Sequence, residues 1–300
     1  MDMTQNKCCR HGANLRRRRR RRRKILRSII FSCSIIAVIV FVAVGSRMIT
    51  SGDGGTNKYD VEAGNNTYDN AVIENSKISE KNKIQNNQSM LDDIMNSTQY
   101  PKQLKDLALK NEEALEFVYD YPAEHVKEHT IDLTEEASMD SVPLFVQWDK
   151  RWGYEKYSGN FFAASGCGPT TLSMVVVYLT HNRDASPLAV AKYSKEAGYS
   201  VDGSGSSWTL ISEGCRHYGV KAKAVALDES RMKAELDEGH PIVVNVGPGD
   251  FTDTGHFMVI TGYDDEGFSI NDPNSIEKSG KRWLFKNISS QIRAVWSMYV

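Results

Sequence analysis

SGCGPTTLSMVV, residues 165–176, sets a cysteine between two glycines, a proline two residues later and an apolar run behind that. Proline is favoured in the first turn of a helix, so Pro169 puts Cys167 at or beside a helix N-terminus. There the helix dipole and the free backbone N–H groups stabilise an anion. A thiolate is such an anion, and it is the reactive form of cysteine. Gly166 and Gly168 carry no side chain, which leaves room for a substrate carbonyl to approach, and nearby N–H groups are placed to hold an oxyanion. The stretch therefore reads as a nucleophile at the mouth of a helix.

A nucleophilic cysteine needs a base, and the base needs an orienting partner. TDTGHFMVITGY (residues 252–263) offers His256 at the start of an apolar strand. SINDP (residues 269–273) offers Asp272 at the end of the next strand. A turn at residues 264–267 would fold the two strands into a hairpin and bring both side chains to one edge. The plainer alternatives are a buried apolar cysteine and a structural histidine. A Cys167–Cys215 disulfide is a third reading, although Cys215 is spaced to fall on the buried face of its own helix.

Outward from these residues the pattern is α+β. Helices are predicted over residues 168–180, 186–198 (with Ser186 as N-cap) and 206–219. Strands follow in HPIVVNV, GHFMVITGY and GFSIND. Helices first and an antiparallel sheet later is the α+β layout. Upstream, Leu104, Leu107, Ala108, Leu115 and Val118 form one apolar stripe over residues 101–122, predicting an amphipathic helix packed on the domain that follows.

Charge is distributed unevenly. Twelve of the 37 Lys/Arg but one of the 38 Asp/Glu fall in residues 1–27, leaving 25 cationic and 37 acidic residues downstream. Residues 28–45 carry no charge and are rich in Ile, Val and Phe. As a helix they would rise roughly 27 Å, close to a bilayer core. Arginines directly before the span orient it with the N-terminus in the cytoplasm. An uncleaved anchor is expected rather than a signal peptide, since the apolar run exceeds a usual h-region. A nucleic-acid role for the arginine run is disfavoured by the absence of interleaved aromatics. The expected organisation is a basic cytoplasmic head (1–27), a transmembrane helix (28–48), a disordered linker (49–98), an amphipathic lead-in (99–135) and a catalytic domain (136–300) outside the cell membrane. Five cysteines, two of them downstream of the span, are too few for a disulfide scaffold.

VPLFVQWDKRWGY, SGCGPTTLSMV, GHFMVITGYDDEGFSINDP and the segment around Trp208 together resemble family thirty-nine of the cysteine peptidases. That is the papain-like, bacteriocin-processing family, and the likeness is to its C39-like extracellular relatives in Gram-positive bacteria. It spans about residues 141–300. The resemblance implies a papain-like α+β fold, Cys167 as nucleophile, His256 as general base, Asp272 as orienter, a peptide or protein substrate, and no metal or other cofactor. It also implies an oxyanion-hole glutamine, for which Gln147 is the candidate. The plainer papain-like pattern puts that glutamine six residues before the cysteine, where this chain has Phe161, so a structural role for Gln147 stays open. The bacteriocin processors are joined to a transporter and act in the cytoplasm. Their leader substrates do not transfer to a domain placed outside, for which cell-wall or secreted peptides are the alternatives.

Three rival functions stand beside this one. HVKEH (residues 125–129) matches the inverted zinc-peptidase motif, with two histidines four apart and Glu128 as base. A papain-like scaffold also serves as a non-catalytic binding module. A cell-wall amidase or transpeptidase would use the same triad with a different bond or acceptor.

Overall fold

The computed structural model describes residues 66–300, with side chains from residue 80 onward. The basic head, the apolar span and the first part of the linker lie outside the described residues. Among the described residues, no helix is long and apolar enough to cross a membrane.

The linker reading fails for its second half. Residues Asn66–Asn96 form a helix, α1. Their polar composition suggests disorder, but the stretch contains neither Gly nor Pro. Its last turns carry Met90, Leu91 and Ile94 at helical spacing, and Ile94 is fully buried in the cluster formed by the lead-in. Tertiary packing of that short stripe supplies what the composition lacks.

The lead-in is not one helix but several. Helix α2 (Lys102–Lys110) stops at Asn111, whose backbone is extended (φ −136°, ψ 99°). A 3-10 turn (Glu112–Ala114) and short helices at Leu115–Tyr119 and Tyr121–Glu124 follow. The predicted stripe survives the breaks: Leu104, Leu107, Ala108, Leu115 and Val118 are all buried. They pack with Phe161 and Ala163, a few residues before the cysteine.

Helix α3 (Cys167–Thr180) is the central element, with every residue from Gly168 to Val177 buried. A helix that is apolar all round belongs inside a protein. Helix α4 (Pro187–Glu196) packs beside it and starts as predicted, the Ser186 hydroxyl accepting from Ala189 N at 3.2 Å. The predicted helix over 206–219 is reduced to a turn of helix at Thr209–Ser212 and a 3-10 segment at Gly214–Tyr218, closed by Gly219 at φ 74°.

Six strands form one antiparallel sheet: β1 (Lys221–Ala224), β2 (Ile242–Val246), β3 (His256–Asp264), β4 (Gly267–Asn271), β5 (Arg282–Trp283) and β6 (Ile292–Tyr299), in spatial order β1-β6-β2-β3-β4-β5. One face, with Val243, Phe257, Val259 and Met298, packs on α3. The other, with Ile242, Val244, Met258 and Ile260, is covered by Met232 of helix α5 (Glu229–Asp237) and by Ile288. Burial on both faces is why the IVVNV stretch of β2 shows no polar alternation.

Candidate active site

Cys167 is the first residue of α3, with Gly166 as N-cap. The flanking glycines have a steric reason different from the one their sequence suggests. A Cβ on Gly168 would lie 2.5 Å from Ser206 Oγ, and one on Gly166 would lie 2.5 Å from the Phe162 ring. The glycines let the helix mouth press against its neighbours.

His256 opens β3 and Asp272 directly follows β4, as the hairpin predicts. His256 Nε2 donates to Asp272 Oδ1 at 2.6 Å, with Asp272 fully buried and His256 nearly so. The ring's other nitrogen, Nδ1, is not engaged by Asp272, and His256 and the Cys167 thiol act on each other electrostatically. The hairpin register contributes to this pairing. Asp264 pairs with Gly267 and Gly262 with Ser269, but an irregularity between Ile260 and Gly262 shifts the ladder by one residue, so Val259 faces Asn271. A one-residue slip exchanges the faces of a strand. The bulge thus carries Asp272 onto the side of β3 that holds His256.

Charge in this trio is concentrated. Burial pushes the Cys167 thiol up, but the hydrogen bond and the charge of His256 outweigh it, aided by the backbone at Phe257 and Gly168, and the net direction is down. Burial pushes His256 down, but the Asp272 carboxylate, with help from the Cys167 sulfur, raises it to about 10. Each group favours the charged form of the other.

Asp272 is held on one oxygen. Oδ1 accepts from His256 and from Asn274 N at 2.8 Å, while Oδ2 is buried without a partner. Its own amide donates to Ser279 Oγ at 2.9 Å.

Gln147 sits between the cysteine arm and the aspartate turn. Its Nε2 donates to Ala163 O at 2.7 Å and lies 3.3 Å from Asn274 Oδ1, and its backbone N donates to Pro273 O at 2.7 Å. The structure therefore brings Gln147 to the site, with its amide hydrogens directed at these two oxygens. Phe161, six residues before Cys167, is buried in the lead-in cluster. A polar glutamine there would interrupt an apolar contact.

Cys167 lines an open cleft of about 690 Å³. One wall comes from Ser158, the Gly203–Ser206 loop and Trp208, the other from residues 245–248, Thr254, Gly255 and Arg293. Ser206 and the half-exposed Trp208 are contributions that sequence reading missed as site residues. Their signal was the run GSGSSW, small residues ending in a large aromatic.

Two rival readings do not survive. Cys167 and Cys215 are both free thiols. The zinc motif needs 125 and 129 on one helix face, but the helix ends at Glu124. His125 instead stacks on Tyr121 with ring centroids 4.1 Å apart, and His129 Nε2 lies 3.2 Å from Glu124 O. No group of three or more His, Cys, Asp or Glu side chains is placed to hold a metal among the described residues.

Residues 139–300 match the sequence model of a family described as Peptidase_C39 like family. Among solved structures, similarity is found to the peptidase domain of Streptococcus ComA, a bi-functional ABC transporter involved in a quorum-sensing pathway (20% identity, TM-score 0.39, 53% of this chain and 96% of that one). It is also found to a Bacillus anthracis protein assigned as a C39-like peptidase (18% identity, TM-score 0.33, 53% and 95%). No curated protein matches the sequence.

Proposed function

We propose, from the premise that the chain belongs to the Peptidase_C39 like family, that it is a cysteine peptidase working through Cys167, His256 and Asp272. The domain has the α+β, papain-like fold of that family. The reading rests above all on one observation: His256 is bonded at one ring nitrogen to fully buried Asp272, and its chain neighbours Gly255 and Phe257 line the same cleft as Cys167.

The chemistry follows from that arrangement. The Cys167 thiolate attacks a peptide carbonyl in the cleft, and the carbonyl electron pair moves to oxygen. The first N–H groups of α3, at Cys167 and Gly168, lack intrahelical partners and would donate to that oxygen. The tetrahedral adduct collapses, the C–N bond breaks, and His256 gives its proton to the leaving amine. Water, deprotonated by the now neutral His256, attacks the thioester and releases the acid and the thiolate. Asp272 keeps the imidazole in one tautomer and stabilises its charged form. Gln147 contributes to the oxyanion site if it gives up its bond to Asn274. Otherwise it fixes the cysteine arm against the aspartate turn.

The charge step at residues 1–45 supports the same enzyme as a single-pass membrane protein. In this reading the head is cytoplasmic, the linker and lead-in follow the span, and the peptidase domain faces a cell-wall or secreted peptide.

The test uses the full chain in detergent. Iodoacetamide labelling is followed from pH 4 to 9, with the label located by mass spectrometry, alongside cleavage of a peptide library. Fast labelling of Cys167 below pH 7, lost in His256→Ala, together with library cleavage, is the expected result. Labelling at the rate of an ordinary thiol would overturn the reading.

A further inference from the structure

Asp272 carries the least redundant geometry in the site. Its Oδ1 has two partners, His256 and the Asn274 amide, and its Oδ2 has none. The angle of the carboxylate therefore depends on where the turn after β4 puts Asn274. Part of what fixes Asn274 lies 163 residues away in the lead-in. Asn111 Nδ2 donates to Asn274 O at 2.9 Å and to Asn274 Oδ1 at 3.1 Å. Two residues on, the Glu113 carboxylate caps the next helix, α6 (Ile276–Ser279), accepting from Ile276 N at 2.7 Å, from Glu277 N at 3.1 Å and from the Ser275 hydroxyl.

Asn111 is built for this. It ends α2 with an extended backbone, and its Oδ1 accepts from Glu113 N at 3.0 Å, which sets the 3-10 turn that aims Glu113. One residue thus breaks the helix, shapes the turn and reaches the site. The lead-in is tied to the domain behind it by Lys150–Asp120 (2.5 Å) and by Tyr154 OH donating to Phe117 O (2.7 Å). Both clamp residues lie outside residues 139–300, the part that matches the family.

We infer that Asn111 and Glu113 are positioning residues that hold the Asn274–Ser279 turn, and through the Asn274 amide the carboxylate of Asp272, in register with His256. The inference rests on the function proposed above. It makes the lead-in part of the active site, as a support acting through hydrogen bonds to the aspartate turn.

The experiment reads Asp272 through its partner. The full chain is labelled at histidine, and the His256 ring is titrated by NMR in the wild type, Asn111→Ala, Glu113→Ala and Glu113→Gln. The groups facing that ring are Asp272 and Cys167, so its midpoint reports their placement. The expected result is a fall of about one pH unit or more in both alanine variants, a tenfold weakening of the charged form. Glu113→Gln, which keeps an acceptor, should show a smaller fall. Melting temperature is recorded in parallel. A lowered melting temperature with an unmoved His256 midpoint would reduce the clamp to a structural contact and overturn the inference. If Glu113→Ala does not fold, Asn111→Ala and Glu113→Gln carry the comparison. The proposed function fails separately: a wild-type chain with an ordinary Cys167 thiol but a clamp-sensitive His256 midpoint would remove the peptidase and keep the positioning.

Discussion

Cys167 and Cys215 pack in the same apolar cluster, yet their thiols lie on opposite sides of an ordinary cysteine. Cys215 is fully buried, and burial pushes its thiol up to about 11. Cys167 is also pushed up by desolvation but has His256 beside it, and its thiol is moved down. Burial alone makes a cysteine inert. The difference arises because one side chain begins a helix beside an imidazolium, while the other lies in a 3-10 segment with no such neighbour. The direction in which each thiol is moved is set by the arrangement around the sulfur and not by the residue type.

The widest separation between the two should appear on deletion. Cys167→Ala and His256→Ala are each expected to lower peptide hydrolysis by about 10⁴-fold or more. Cys215→Ala should leave the rate within about twofold. A larger loss in Cys215→Ala, in folded protein, would erase the contrast. Asp272→Asn tests how much of it depends on the third residue. A loss of up to about 10⁴-fold is expected, because the amide favours the wrong imidazole tautomer.

A second contrast is in pH. His256 has a folded pKa near 10, above its unfolded value, so it stabilises the folded state fully below pH ~6.5 and ceases to do so as pH rises through about 10. Cys167 acts in the opposite sense, its lowered thiol adding stability as pH rises toward ~8.5, so denaturant midpoints should stay nearly flat from pH ~6.5 to ~8.5 and fall as pH rises from there through about 10. Cys215→Ser should leave that profile in place. Its cost is different: about 1–3 kcal/mol at all pH values, from a buried hydroxyl lacking a partner. An effect of the same size is steric. Gly168→Ala, whose new methyl meets Ser206, should cost about 1–3 kcal/mol in chemical denaturation.

The cysteine arm was legible because its signals are local. Pro169 marks a helix start, the glycines mark close approach, and the apolar run from Leu172 marks a buried helix. The β3–β4 hairpin was legible for the same reason, with a turn sequence between two apolar stretches. What escaped depends on distance or on a single irregular residue. The bulge near Thr261 that selects the face of Asp272 leaves no trace in composition. Strand β6 went unread because IRAVWSMY carries no strong alternation, both its faces being packed. Asn111 looked like one polar residue in a helix, and its partner lies 163 positions on. The end of α1 was hidden by an Asn- and Ser-rich composition, although Met90, Leu91 and Ile94 already held the docking stripe.

The contacts between Asn111 and Asn274 also fix an order of events. Pairs this far apart in sequence are slow to form, because chain entropy is lost before the contact stabilises anything. The β3–β4 hairpin closes over a few residues and can assemble early. The clamp cannot close until the helix, the sheet and the last third of the chain are in place. During synthesis the lead-in emerges first and waits for a turn made near the end. On the proposed function, the thiol would acquire its fully aligned base only once its own chain is folded, which would limit cleavage of unfinished copies.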